Sequence, residues 1–207
     1  MSLRLSTEDL VWYVAYGSNM KAARFQCYLS GGRPGGASRT YTGSRDPSRP
    51  RRHLGIRLPG GLVFSGSSTV WGGGIAFYDV SGDGELAARA YLITFGQLSD
   101  VVAQEGRRPV GGDLVLGQPK DRSWVVASHA YEMLLHVRDH DGVPMLTITS
   151  AVHLEPATPS AAYLHTMLDG LRETFGWSVA ECVDYLLAAP GVAPAWTAGD
   201  LAVLCDG

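Results

Sequence analysis

Two stretches of this 207-residue chain hold residue types that could do chemistry. The first reads Tyr13-Val14-Ala15-Tyr16-Gly17-Ser18-Asn19. The apolar, β-branched and aromatic run at 11–16 has the pattern of a buried strand, and Gly17-Ser18-Asn19 breaks it before a short helical stretch from Met20 to Leu29. A strand that turns straight into a helix leaves unpaired backbone N–H groups at the helix's positive end, where carboxylates, phosphates or developing oxyanions bind. The same spacing also suits an ordinary turn in which Ser18 or Asn19 caps the helix. The second stretch ends at Glu105. Leu98, Val101 and Val102 lie seven, four and three residues before it, so the apolar stripe of one helix carries this carboxylate toward the core. An unpartnered carboxylate in such a place is costly and favours its protonated form, which is how enzymes tune a general base. The alternative is that Glu105 closes the last turn and curls out to water, or pairs with Arg107 or Arg108.

Other groupings carry less. His136 and His140, with Asp139 and Asp141, sit across a hairpin turn rather than along a helix, so they do not converge as metal ligands should. No G-x-S-x-G supports a serine nucleophile. Cys27 reads as a small hydrophobe on the first helix. No G-x-G-x-x-G precedes a helix in a βαβ setting, so the Gly-rich stretches 31–36 and 72–74 do not suggest a nucleotide site. Arg33, Arg39, Arg45, Arg49, Arg51 and Arg52 are crowded into a Gly/Pro/Arg-rich loop at 30–52. They could clamp an anionic substrate or acidic partner, or they could belong to a solvated connection.

The elements that must position these residues follow from pattern and punctuation. Strands are expected at 62–65, 70–79 and 87–93, and a hairpin at 126–150 turning near Asp141-Gly142. Thr94 with Gln97 three residues on makes a capping box, and Gly106 is a natural stop, so Glu105 ends a helix. Residues 107–123 read as connecting loop. Thr158-Pro159 opens a helix with Tyr163, Leu164, Met167, Leu168 and Leu171 on one face. Ser178 and Glu181 form a second capping box, and a last short helix spans 198–205. Strands come first, and helices are interspersed and then terminal, which is the order of an α+β fold in a single domain over 1–207.

Composition sets outer bounds. Glycine is nearly twice its usual share at 26 residues, while charged residues are only 18%. A net charge of −3 with 45% apolar residues argues against disorder. It also lacks the basic footprint of a nucleic-acid binder. Three cysteines with no C-x-x-C pair fit a reducing compartment, and no run is apolar enough to span a membrane. The expectation is a cytoplasmic protein with no membrane and no nucleic-acid partner.

Taken together, four segments in order resemble the γ-glutamylcyclotransferase-like (AIG2-like) family. Residues 13–20 resemble its Y-G-S-N loop and 68–76 its aromatic–glycine lead into a strand. Residues 104–106 resemble the segment bearing its acid/base glutamate, and 158–163 the P-S-x-x-Y start of its C-terminal helix. The resemblance covers roughly residues 11–190 and implies a small mixed β-barrel flanked by helices, with no metal and no cofactor. It implies that the loop 16–19, comprising Tyr16, Gly17, Ser18 and Asn19, holds a γ-glutamyl group through backbone amides. Tyr13 and Tyr163 would line the same substrate site and Glu105 would shuttle the proton. The partner is then a small-molecule or peptide γ-glutamyl substrate, cyclised to 5-oxoproline with release of an amine. The 30–52 loop is longer and more basic than the family's usual connection, and 107–123 also diverge, so the leaving amine is left open. An amide hydrolase or acyl-transfer enzyme on the same scaffold, or a non-catalytic binding module, remain as alternatives.

Overall fold

Strand β1 (Leu10–Ala15) is where the fold is organised. Its period of two sends Trp12 and Val14 to one side and Val11, Tyr13 and Ala15 to the other, and both sets are buried in separate apolar clusters. A strand buried on both faces belongs in the middle of a sheet. In this computed structural model, which describes residues 3–126, 131–152 and 155–206, β1 is central. In chain order the other strands are β2 (Arg52–Pro59), β3 (Gly61–Ser65), β4 (Ile75–Asp79), β5 (Glu85–Thr94), β6 (Ser123–Val125), β7 (Met133–His140) and β8 (Val143–Thr149). Six of them form one mixed sheet in the order β2-β5-β1-β8-β7-β6, with β1 and β8 parallel and the other neighbours antiparallel. Strands β3 and β4 make a separate antiparallel pair.

Helices cover both faces. On one side lie α1 (Ala22–Ser30) and α2 (Phe95–Glu105), packed on Tyr13, Tyr91 and Ile148. On the other lie α3 (Ala161–Phe175), α4 (Val179–Leu187) and α5 (Ala198–Asp206), packed on Trp12, Leu86 and Met145. The α+β class and the mixed sheet agree with the sequence reading. The barrel does not: the sheet stays open, with β2 and β6 as its outer strands.

Helix α2 matches its sequence signals at both ends. Thr94 and Gln97 form the reciprocal capping box, and Gly106 follows the last turn. The cap contributes about 1 kcal/mol, whereas fully burying Leu98, Val101 and Val102 contributes roughly 1.5–3 kcal/mol each. Packing therefore fixes the orientation of α2, and the caps fix where it starts and stops.

Three elements depart from expectation. The strand expected over 70–79 begins only at Ile75, because 70–74 form a turn folded onto 157–159. A Cβ on Gly73 or Gly74 would lie 2.4 or 2.2 Å from the carbonyl oxygens of Thr158 and Ala157, so these glycines serve chain-on-chain approach. Because residues 158–159 are engaged there, α3 starts later than expected, with Ser160 as its N-cap accepting from the Tyr163 amide at 3.3 Å. Strand β2 lies at a sheet edge with alternate residues exposed, and it follows the polar loop without a break. Its apolar alternation is thin for that reason. The hairpin turn at Asp141 (φ 52°) and Gly142 (φ 74°) is left-handed at both residues, as a tight hairpin requires. Residues 127–130 of the expected 126–150 hairpin lie outside the described residues.

The 30–52 loop is strapped onto α2 rather than solvated throughout. Gln97 donates to the carbonyls of Asp46 and Ser48 at 3.2 and 3.0 Å. Asp100, 1% exposed, accepts from the Arg45 amide at 2.9 Å and its Nε at 3.0 Å. Gln104 accepts from the Gly43 amide and donates to the Tyr28 carbonyl at 2.9 Å. These three polar residues recur at helical spacing beside the apolar stripe, so one helix both packs the core and grips the loop.

Candidate active site

The Gly-Ser-Asn segment does not start the helix. Residues Ser18–Met20 form a 3-10 turn, with the Met20 and Lys21 amides donating to the carbonyls of Gly17 and Ser18 at 3.0 and 3.2 Å. Helix α1 begins after Lys21, and no side chain caps it. This corrects the placement of the segment at the start of that helix and the reading of Ser18 or Asn19 as its side-chain cap. The turn is held from outside. The Tyr91 hydroxyl reaches the carbonyls of Asn19 and Met20 at 2.9 and 3.1 Å. On α3, a Cβ at Gly170 would stand 2.7 Å from the Met20 Cβ, so only glycine lets that helix press so closely on the turn. Gly17 answers the same need at the site itself, where a Cβ would meet the Tyr163 hydroxyl at 2.8 Å.

With the turn fixed, Asn19 points inward. Its Nδ2 donates to the Tyr13 hydroxyl at 3.1 Å and to Glu105 Oε1 at 3.3 Å. Glu105 is half-buried at the end of α2. Its Oε1 also receives the Tyr28 hydroxyl at 2.5 Å, and that hydroxyl oxygen accepts from Arg24 Nη2 at 3.2 Å. Glu105 is thus neither an unpartnered buried acid nor a side chain turned to water, and no ion pair joins it to Arg107 or Arg108. Both donors act on Oε1, which leaves Oε2 without a hydrogen-bond partner among the described residues. Burial, with the Glu105 charge beside it, holds the Tyr28 phenol well above its ordinary pKa, so Tyr28 stays protonated and donates.

The seven residues that the resemblance assigns to the substrate site, Tyr13, Tyr16, Gly17, Ser18, Asn19, Glu105 and Tyr163, all border one cavity. Tyr131, Ala76 and Ile148 complete its wall. The Tyr16 hydroxyl is spent on the Ile148 carbonyl at 2.6 Å. Tyr163 is different. Its oxygen accepts from the Ala76 amide at 3.2 Å and is faced by the Ser18 amide, so its own proton is available to donate. Burial first, and then the Glu105 charge, raise the Tyr163 phenol against the pull of those amides. Burial likewise raises Tyr13, Tyr16 and Tyr131. The cavity is therefore walled by neutral O–H groups around one carboxylate.

A larger chamber adjoins it, sharing Ser18, Glu105, Tyr131 and Tyr163 and extending to Arg24, Arg39, Tyr41 and Trp71. Sequence reasoning missed Tyr28, Tyr41, Trp71 and Tyr131. The one available signal was the four-residue spacing of Arg24 and Tyr28, which places them on one face of α1. Among the described residues no group of three His, Cys, Asp or Glu side chains could share a metal ion. His136 pairs with Asp139 at 2.7 Å, and His140 packs edge-on to Trp12. Cys27 is half-buried and borders a separate hollow beside Arg33 and His165. No described helix is long and apolar enough to cross a membrane.

No family model matches the chain. Among solved structures, a protein named gamma-glutamyl cyclotransferase superposes with a TM-score of 0.57 at 18% identity, covering 96% of this chain and 100% of that one. An uncharacterized protein from Homo sapiens superposes equally well, at 0.57 and 18%, covering 97% and 100%. The chain has the γ-glutamyl cyclotransferase fold. In sequence it is 31% identical over 198 residues to Histone deacetylase 5 of Arabidopsis thaliana, an alignment that takes in 85% of this chain but 30% of that protein. The chain spans under a third of that relative's length, and the activity in that name belongs to the longer protein. Within the γ-glutamyl cyclotransferase fold of this chain, the two cavities meet at the end of α2, where Glu105 stands.

Proposed function

We propose that this chain is a γ-glutamyl cyclotransferase that cleaves γ-glutamyl amides by intramolecular aminolysis. The observation that carries the reading is Glu105, with one oxygen fixed by Tyr28 and Asn19 and the other unengaged at the junction of the cavities. In the smaller cavity the substrate's α-amine would attack its own γ-carbonyl carbon, forming the ring C–N bond. A free α-amine beside its own carboxylate is mostly protonated at neutral pH. The neutral form of the amine attacks, its ammonium proton having gone to solvent. Glu105 Oε2 then takes the one proton the nitrogen sheds as the ring bond forms and gives it to the departing nitrogen as the second C–N bond breaks. The products are 5-oxoproline and a free amine, with no net proton change on the enzyme. The Tyr163 hydroxyl is the donor best supported for the developing oxyanion, since both amides near it address its oxygen and leave its proton free. The snug cavity favours a folded glutamyl chain, which lowers the entropic part of the barrier.

Glu105→Gln tests this directly. The amide keeps the shape and can still meet its neighbours, so the melting temperature should hold while turnover falls by at least the 10²–10⁴-fold typical of general acid–base catalysis. Mass analysis of the products decides the reaction. 5-Oxoproline supports cyclisation, whereas free glutamate points to hydrolysis on the same scaffold. Retained turnover in Glu105→Gln defeats the assignment.

A further inference from the structure

The larger chamber holds more positive charge than its own residues balance. Arg24 is 4% exposed, and its side-chain hydrogen bonds among the described residues run from Nη2 to the hydroxyls of Tyr28 at 3.2 Å and Tyr41 at 2.8 Å. Its Nε and Nη1 are buried and have no partner among the described residues. No described carboxylate stands within ion-pair distance of it. Arg39, from the 30–52 loop, is drawn to the same place: the guanidiniums of Arg24 and Arg39 lie 4.5 and 4.9 Å from the Tyr41 ring centre. Arg39 is bonded to the Gln104 carbonyl at 2.9 Å, which occupies one of its five N–H groups. Arg107 borders the same chamber, and its backbone is left-handed at φ 55°, a conformation that glycine adopts without strain and arginine does not.

A buried charge normally has a counter-charge, and two guanidiniums beside one ring concentrate positive charge at the chamber. Among the described residues Glu105 is the sole carboxylate bordering the chamber, and its Oε1 is already engaged. We propose that the chamber binds a leaving amine carrying two negative charges, the chemistry shared by an acidic amino acid and a phosphorylated amine. Arg24 is the fixed anchor at the chamber's inner wall. Arg39 and Arg107 reach in from two separate loops, and their planar forks suit carboxylate or phosphate oxygens. The assignment rests on the reading above, since it gives the smaller cavity to the glutamyl half and the proton to Glu105.

The test uses two matched pairs of γ-glutamyl conjugates, of glutamate against glutamine and of phosphoethanolamine against ethanolamine. Two quantities are read for each: kcat/KM for 5-oxoproline release by the wild-type chain, and Kd by calorimetry on Glu105→Gln, where binding is seen without turnover. At least one dianionic conjugate should exceed its partner by about tenfold or more in both, as one added charge-assisted contact would give. A preference confined to one pair identifies the dicarboxylate or the phosphate as the source. Adding Arg39→Gln and Arg107→Gln together should shrink the preference to within about threefold, while Arg49→Gln with Arg51→Gln, exposed on the same loop outside the chamber, should keep it. Arg107→Gly should match or exceed the wild-type melting temperature while weakening the preference. Equal handling of both pairs by the wild type overturns the proposal. So does a preference that survives the Arg39/Arg107 double variant or falls as much in the Arg49/Arg51 control. Preferential, arginine-dependent binding without 5-oxoproline from any conjugate keeps the chamber assignment and sinks the cyclotransferase reading. Equal 5-oxoproline release from all four does the reverse.

Discussion

Tyr28 and Gly17 decide the geometry around Glu105 without bearing its charge. Tyr28→Phe keeps the ring that packs beside Tyr41 and removes the 2.5 Å donor, so Oε1 loses the shorter of its two bonds. The expected result, if Glu105 is the acid/base proposed above, is a fall of about 10–100-fold in kcat with KM little changed, because an interaction that fixes such a group matters most in the transition state. An unchanged kcat would show that Tyr28 only fills space. Gly17→Ala would drive a methyl group into the Tyr163 hydroxyl at 2.8 Å and should lower both stability and turnover. In a Tyr163→Phe background that hydroxyl is gone, so the stability penalty of Gly17→Ala should shrink by more than about 0.5 kcal/mol in a thermal double-mutant cycle. Strict additivity would mean the contact is not what constrains residue 17. The place of Glu105 at the end of a helix could be read from the sequence, because a capping box and a glycine stop bracket that helix. Tyr28 could not, since the spacing that pairs it with Arg24 says nothing of which distant helix end their common face will meet.

At the scale of elements, the site depends on how α2 holds the 30–52 loop, because Arg39 and Tyr41 reach the larger chamber from that loop. Asp100 is the central tie. Asp100→Ala leaves the Arg45 amide and guanidinium without their buried acceptor, and removing hydrogen bonds to a charged group costs about 1.5–3 kcal/mol. For a chain of this size that is a drop of roughly 3–12 °C in melting temperature. Protease cleavage should concentrate between residues 30 and 52 in the same variant. A melting shift under about 1 °C with no new cleavage would show that Gln97 and Gln104 hold the loop alone. The helix itself was legible because a capping box and a glycine stop are local signals. The strap was not, because Gly, Pro, Ser and Arg are also what a free loop contains, and only the Gln97, Asp100 and Gln104 stripe hinted that something polar lay across the helix. The aromatic–glycine segment at 70–74 misled for a related reason: its glycines answer to the carbonyls of Ala157 and Thr158, more than eighty residues along the chain, which no local pattern records.

Over the whole molecule, Asp113 ties together three segments far apart in the chain. It accepts from Thr7 near the N-terminus and from Arg45 Nη2 at 2.5 Å, while it sits in the connection that follows the Glu105 helix. That connection is docked on α2 through the Gly111 amide to Asp100 and the Leu114 amide to Ser99. The Thr7 hydrogen bond first, and then Arg45, hold the Asp113 carboxyl below its ordinary pKa in the folded chain. A carboxyl whose folded pKa lies below its unfolded value of about 3.9 binds its proton more readily when unfolded. Its stabilisation is therefore complete above that unfolded value and disappears as pH falls through the lower, folded one. Asp113→Asn has no such proton to bind. The melting temperature of the wild type should exceed that of Asp113→Asn by a constant margin from pH 5 to 7, and the margin should close as the buffer is taken from about pH 4 toward pH 2.5. Because the carboxylate is partly solvent-exposed, the margin should also narrow in high salt. A margin that stays constant into acid would show that Asp113 stabilises the chain by shape rather than charge. The drawing together of the N-terminal segment, the arginine loop and the post-Glu105 connection would then need another cause.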